Sequence, residues 1–386
     1  MSYGYLIGLA IQGALVGLTL WAPRRPYWLG GLAYRVAAAY NEAPFLFVAI
    51  VLISATATFI EHPLVTPAAW LMLALTAVLV GALVVIAARG AAARPFIARS
   101  LDAALGADWR DEIEPSLRDG LRTRPPLGRI LLTFVFRPRS VERRHNLPYG
   151  PAGRAHLLDL YRCHGSTSEK APVLVYFHGG AYSVGFKSFE SRALLFHLAR
   201  RGWVTISANY RLRPHAGFAE HLSDAKRVIA WVRAHADELG IDPAMIVLAG
   251  GSAGGHLSTI AALTPNDPRH QPGFEGADTS VSAVVSLYGW YGGYFELGGA
   301  DSEFGPLGHS AAVAPPLFIA HGEKDTIAYV ETARRAVAHL RAGSPNPVVY
   351  AELPGGQHSF DLFHSLRYSA VIDGVDAFTA WVRSRV

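Results

Sequence analysis

Four short stretches beyond residue 170 carry residues whose types and spacing suit acyl-transfer chemistry. The apolar run 245–249 leads into Gly250-Gly251-Ser252-Ala253-Gly254-Gly255, and a helical stretch begins near His256. A serine on a sharp strand-to-helix turn is crowded by the residues two places either side, which is why G-x-S-x-G places glycine there. Such a turn exposes the hydroxyl, and the helix that follows favours the negative charge developed on reaction. The run 316–320 is followed by His321-Gly322-Glu323-Lys324-Asp325. Asp325 is the better candidate for the acid, because it leads directly into the next helix; Glu323 is the alternative. The run 348–353 is followed by Pro354-Gly355-Gly356-Gln357-His358, from which His358 can reach back to accept the serine proton. Asp361, three residues on, is expected to face the next helix. Upstream, the run 173–177 ends in His178-Gly179-Gly180-Ala181-Tyr182. Backbone donors from Gly179 or Gly180, together with the Ala253 N–H, would stabilise an oxyanion.

These turns need a scaffold that brings strand ends together. Runs rich in Val, Ile and aromatics recur at 173–177, 204–208, 245–249, 281–287, 316–320 and 348–353. Helical patterns separate most of them, the clearest over 219–239, with others over 327–341 and 370–386. Alternating strands and helices predict an α/β fold, a mostly parallel sheet with helices on both faces. Sites in such sheets lie at the carboxyl ends of the strands. The short stretch between 287 and 316 leaves no room for a large lid. Tyr182, Tyr288 and Trp290 are candidates for a substrate pocket. Tyr291, Tyr294 and Phe295 belong to the same aromatic group, for which plain packing is the competing reading.

The order Ser252…Asp325…His358 at successive strand ends is that of the α/β-hydrolases. With His178-Gly179-Gly180, Tyr210-Arg211-Leu212-x-Pro214, Gly250–Gly255, His321-Gly-x-x-Asp325 and Gly356-x-His358-x-Phe360, residues 145–386 resemble the hormone-sensitive-lipase-like carboxylesterases. Within that group the chain is similar to membrane-anchored actinobacterial esterases and lipases, including the Phe360-Asp-Leu-Phe tail. The resemblance implies a serine hydrolase acting on small-molecule or lipid carboxylic esters through an acyl-enzyme. Gly251 departs from it, since many members carry Asp there, and so does Ala181 in place of a third glycine. Two other readings share the sequence: an amide-directed hydrolase such as an arylformamidase, and a non-catalytic membrane scaffold.

The first hundred residues differ in texture. The hydrophobic share of the whole chain is 51%, and three runs, 3–21, 44–60 and 64–88, contain no Lys, Arg, Asp or Glu. Each has roughly the 17–25 residues needed to cross a hydrocarbon core of about 30 Å as a helix. Arg35 is kept outside the second run, because a central Arg costs about 2.5–3.5 kcal/mol on the insertion scale. The expected organisation is a transmembrane anchor over 1–95, a juxtamembrane linker over 96–144 and a catalytic domain over 145–386. The first run has no basic leader and no small-x-small cleavage site, so it is not expected to be removed as a signal peptide. Arg24, Arg25 and Arg35 precede the second run, and Arg89, Arg94 and Arg99 follow the third, which predicts a multi-pass protein with its catalytic domain in the cytoplasm. The anchor is expected to supply no catalytic residue. Arg129–Arg137 brackets an apolar patch that either lies on the bilayer surface or packs on the catalytic domain. The net charge of +5 comes from arginines concentrated near the apolar runs, so a lipid bilayer and not nucleic acid is the expected partner. No protein partner is indicated. There is no H-E-x-x-H, no pair of cysteines and no phosphate-binding G-x-x-x-x-G-K-[ST], so no metal or cofactor is expected. The single cysteine, Cys163, excludes an intramolecular disulfide.

Overall fold

The computed structural model describes residues 3–61, 64–122, 128, 133–165 and 170–386. The 62–63 turn and the 129–132 part of the arginine-bracketed patch lie outside them. The eight-stranded sheet has the order β1-β2-β4-β3-β5-β6-β7-β8. Its strands are β1 (Val141–Pro148), β2 (Leu157–Cys163), β3 (Ala171–Phe177), β4 (Val204–Ala208), β5 (Ile241–Gly251), β6 (Ala283–Leu287), β7 (Leu317–Gly322) and β8 (Val348–Leu353). From β4 to β8 all neighbours are parallel, while β2 runs antiparallel to β1 and β4. Strands buried on both faces read as unbroken apolar runs, and β3, β4 and β6 are buried at every position. The edge strand β1, Val-Glu-Arg-Arg-His-Asn-Leu-Pro, is mostly exposed. It has no apolar run, which is why the sequence pattern passes over it.

Helices cover both faces. Arg192–Arg200 (α5) and Leu366–Arg383 (α9) pack on one face. Phe218–Ala234 (α6), Ala253–Leu263 (α7) and Val330–Gly343 (α8) pack on the other. The N-terminal segment comprises α1 (Tyr3–Trp21), α2 (Tyr27–Tyr40), α3 (Pro44–Glu61) and α4 (Pro67–Leu105). Of these, α1, α3 and α4 are long and apolar enough to cross a membrane, with Ile7, Ile11, Ile53, Trp70 and Val78 exposed on their outer faces.

Two features differ from the expected organisation. Helix α4 continues without a break past residue 95, and its Ala93, Ile97 and Leu101 join the core formed by α9. The stretch between the first two apolar runs contains α2, which buries Gly30, Ala33, Ala37 and Tyr40. Both helices dock on the catalytic domain. Asn41 Nδ2 donates to the Gly355 carbonyl at 3.1 Å, and the buried Glu42 carboxylate is paired with the buried Arg367 and accepts from Ser365 Oγ at 2.5 Å.

Candidate active site

The site sits where β5, β7 and β8 end. Strand β5 delivers Ser252 into a strained backbone, φ 52° and ψ −118°, before α7 begins at Ala253. The flanking glycines are a matter of space. A Cβ on Gly250 would come 2.3 Å from the Gly254 carbonyl carbon, and one on Gly254 would come 1.9 Å from the Phe177 carbonyl oxygen.

Ser252 Oγ donates to His358 Nε2 at 2.9 Å, and His358 Nδ1 donates to Asp325 Oδ2 at 2.8 Å. A carboxylate can only accept, so the Asp325 bond selects the tautomer that leaves Nε2 free to take a proton. Asp325 is fully buried. Its other oxygen accepts the amide N–H groups of Ile327 and Ala328, both at 2.8 Å. Glu323 turns the other way, and its carboxylate accepts the Gly355 N–H at 2.9 Å. Gln357 Oε1 joins the two loops by accepting from the Thr326 N–H at 2.7 Å and the His358 N–H at 3.0 Å.

The expected oxyanion donors are not equivalent. The Gly179 N–H donates to Glu190 Oε2 at 2.7 Å. That leaves the N–H groups of Gly180, at φ +105°, and Ala253 as the candidates. His178 stacks on Tyr210 with ring centroids 4.5 Å apart, and burial lowers its pKa to about 4, keeping it neutral.

Behind Ser252 lies a buried acidic network that the sequence does not announce. Asp361 is buried and does not face the helix that follows it. It accepts from Tyr288 at 2.5 Å, Ser191 at 2.7 Å and Tyr176 at 3.0 Å. The Tyr176 hydroxyl also lies 3.3 Å from Glu190 Oε2, which brings this second acid close to Asp361. Burial first, and then the charge of Asp361, push Glu190 up to about 8. The same network explains Gly251. A Cβ there would lie 2.3 Å from the Tyr288 hydroxyl oxygen and 2.8 Å from that of Tyr176. The room that an acidic side chain would need is filled by two tyrosine hydroxyls already bonded to an acid.

A cavity of about 400 Å³ opens on Ser252, lined by Ala181, Tyr182, Trp290, Tyr294, Phe295 and Ile327. Of the three expected pocket residues, Tyr182 and Trp290 line it. Tyr182 is held by a 2.7 Å hydrogen bond to His256 Nδ1. Tyr288 does not line it: the side chain is fully buried, with its ring 4.7 Å from that of His358. Tyr291 is likewise buried, bonded to Ser286 Oγ at 2.6 Å.

The N-terminal segment also reaches the site. Tyr34 on α2 stands edge-on to His358, with centroids 5.7 Å apart, and its hydroxyl lies 3.2 Å from Ser359 Oγ. The Gly30 carbonyl accepts from Thr326 Oγ1 at 2.9 Å. A signal for this was present: Gly30, Ala33 and Ala37 recur at helical spacing, with Tyr34 one place from that small-residue face. Arg25 and Arg35 around them draw attention to a loop instead.

Comparison with known proteins places the chain among esterases. The BD-FAE family profile matches residues 158–292. The probable carboxylic ester hydrolase LipM of Mycobacterium tuberculosis is 38% identical over 360 residues, covering 85% of this chain and 80% of LipM. The esterase LipQ of the same organism is 34% identical, covering 73% of each chain. Among solved structures, butyrate-bound esterase 2 of Thermogutta terrifontis superposes with a TM-score of 0.53 at 26% identity, covering 62% of this chain and 93% of that one. By sequence relationship and fold, the chain belongs to the hormone-sensitive-lipase-like esterases of the α/β-hydrolase superfamily, serine hydrolases that act on carboxylic esters.

Proposed function

We propose that the protein is a membrane-anchored carboxylesterase that works through an acyl-enzyme on Ser252. In this reading His358 takes the Ser252 proton as the hydroxyl attacks the ester carbonyl, and Asp325 stabilises the resulting imidazolium. The tetrahedral oxyanion is held by the Gly180 and Ala253 N–H groups, the Gly179 amide being engaged by Glu190. His358 returns the proton to the leaving alcohol, and water activated by the same imidazole releases the acid. The observation that carries the reading is the unbroken hydrogen-bond relay from Asp325 through His358 to Ser252. The largely apolar pocket beside Ser252 suits the acyl part of the ester.

Membrane anchoring is supported by the three long apolar helices and by where their arginines fall. Arg24 pairs with Glu331 at 2.8 Å, and Arg94 pairs with Asp373. Both arginine groups therefore share one side of the apolar helices with the catalytic domain, the cytoplasmic side on the positive-inside rule. The test is fluorophosphonate labelling of membranes carrying the wild type or Ser252→Ala. Labelling of the wild type alone is expected. A wild type that hydrolyses esters yet takes no label would sink the acyl-enzyme.

A further inference from the structure

A second cavity, of about 710 Å³, lies on the same carboxyl edge of the sheet, beside β2 and β4 and away from Ser252. Five cationic side chains line it: Arg137, Arg143, Arg154, Lys187 and Arg192. The carboxylate bonded to them is Asp159, fully buried beneath. Lys187 Nζ donates to it at 2.6 Å and Arg143 Nε at 3.1 Å. Burial alone would raise the Asp159 pKa, but Lys187, Ser188, the Asn146 amide and Arg143 together hold it below the usual carboxylate value. Asp159 is thus saturated by its own donors. Among the described residues, Arg154 and Arg192 have no carboxylate partner, and Arg137 is bonded to the Val141 carbonyl. Among the described residues, Asp159 is the one carboxylate bonded to these five cations, so the cavity carries a marked excess of positive charge.

We propose that this cavity binds the phosphodiester headgroup of an anionic phospholipid from the bilayer that the anchor crosses. Guanidinium groups suit phosphate oxygens because they donate in pairs. The volume is far larger than a lone phosphate ion needs. Its surroundings suit a membrane interface: Phe186 lines the cavity, Phe189 packs against Phe186 with its ring tilted, and Phe136 adjoins Arg137, all exposed. Aromatic rings and cations together at the headgroup level are the usual anchors there, and basic pockets on the cytoplasmic side bind acidic headgroups. The location also fits. Lys187 and Ser188 lie in the loop after β3 and Asn209 follows β4, on the same carboxyl edge of the sheet that carries the α2 contacts with the loops after β7 and β8. That loop, 178–191, lines the catalytic pocket through Ala181 and Tyr182 and the basic cavity through Phe186, Lys187 and Ser188. A lipid held in the cavity would sit next to the ester-binding pocket.

This inference rests on the membrane placement proposed above, and the experiment separates the two. The full chain, purified in an uncharged detergent, is titrated with dihexanoyl-phosphatidylglycerol, dihexanoyl-phosphatidylcholine and inorganic phosphate, beside Arg154→Gln and the Arg154→Gln/Arg192→Gln double variant. Saturable binding of phosphatidylglycerol is expected, about ten-fold weaker in the double variant and weakened by salt. Hydrolysis of a soluble short-chain ester should be unchanged in both variants, which shows that they fold. Equal affinity in wild type and double variant overturns the site. Inorganic phosphate binding as tightly as phosphatidylglycerol overturns the lipid as its occupant. Carbonate extraction of membranes reports on the anchor alone: a chain that resists extraction but binds phosphatidylglycerol no better than its variants fails only the cavity proposal.

Discussion

His358 has both ring nitrogens committed, one to Ser252 and one to Asp325, so each neighbour has a separable effect on rate. Ser252→Ala and His358→Ala should each lower kcat by roughly 10⁶-fold, as when a triad nucleophile or base is removed. Asp325→Asn should lose on the order of 10⁴-fold, because an amide donor at that position turns the imidazole to the wrong tautomer. Glu323→Gln should stay near wild type, since a glutamine oxygen still accepts the Gly355 N–H; kcat on a p-nitrophenyl ester distinguishes them, and a dead Glu323→Gln beside an active Asp325→Asn would mean the acid is misassigned. Glu190 acts differently. Its carboxyl is ionised above about 4.5 in the unfolded chain but holds its proton up to about 8 when folded. The folded state therefore binds the extra proton, and this group's contribution to stability declines as pH rises from about 4.5 to about 8. Replacing it with Gln, which keeps an acceptor for the Gly179 N–H, should flatten the fall in unfolding free energy between pH 5 and 8 by on the order of 1 kcal/mol per pH unit, as read by denaturant titration in detergent. An unchanged slope would mean that Glu190 is ionised in the native protein. Ser252, Asp325 and His358 could be named from sequence because their chemistry dictates spacing and order. Glu190 and Asp361 could not, because an acid becomes unusual through burial, and burial depends on tyrosines far away in the chain.

At the scale of elements, the parallel strands from β4 to β8 were legible, and the antiparallel pair β1 and β2, whose sequences are interrupted by charged residues, was not. A strand covered on both faces must be apolar throughout, as in β3, whereas β1 needs few apolar side chains and shows no period. The N-terminal helices posed the opposite difficulty: their apolarity was plain, but their contacts with the catalytic domain were not. Helix α4 has 39 residues, and at about 1.5 Å each it is nearly twice as long as a hydrocarbon core of about 30 Å is thick. Its first part suits a bilayer, and the rest stands against α9 as part of the core. A chain beginning at residue 96 therefore loses Ala93, the Arg94 pair with Asp373, Tyr34 and Glu42. The anchor is expected from sequence to supply no catalytic residue, yet the packing predicts that such a fragment aggregates. Glu42→Ala in the full chain isolates the largest electrostatic part. It leaves the Arg367 guanidinium buried without its carboxylate, which should cost about 3–5 kcal/mol, read as a lowered Tm in detergent. A soluble fragment with the kcat of the full chain would show that α2 and α4 merely tether the enzyme.

For the whole molecule, what matters is how the catalytic domain faces the bilayer. Counting arginines gives a side, but a miscounted span would reverse it. The contacts add a constraint independent of that count. Arg24 at the end of α1 bonds Glu331, Arg94 on α4 pairs with Asp373, and α2 lies over Thr326 and Ser359. The arginine-bearing ends of α1 and α4 thus lie beside the carboxyl edge of the sheet, where the exposed Trp21, Tyr27 and Trp28 would sit at the lipid interface in the proposed anchoring. The mouth of the ester pocket opens at that same edge, so the proposed anchoring would give an ester dissolved in the bilayer a short path to Ser252. Which membrane face this is depends on charge alone, because arginine-rich short loops are retained in the cytoplasm. Protease added to intact cells or spheroplasts should leave the catalytic domain whole, and opening the inner membrane should allow it to be cut, as read by immunoblotting against the C-terminal part. Cleavage in intact spheroplasts would reverse the orientation. The packing of α2 on the site would survive that result, since it fixes the domain to one end of the spans whichever compartment that end occupies.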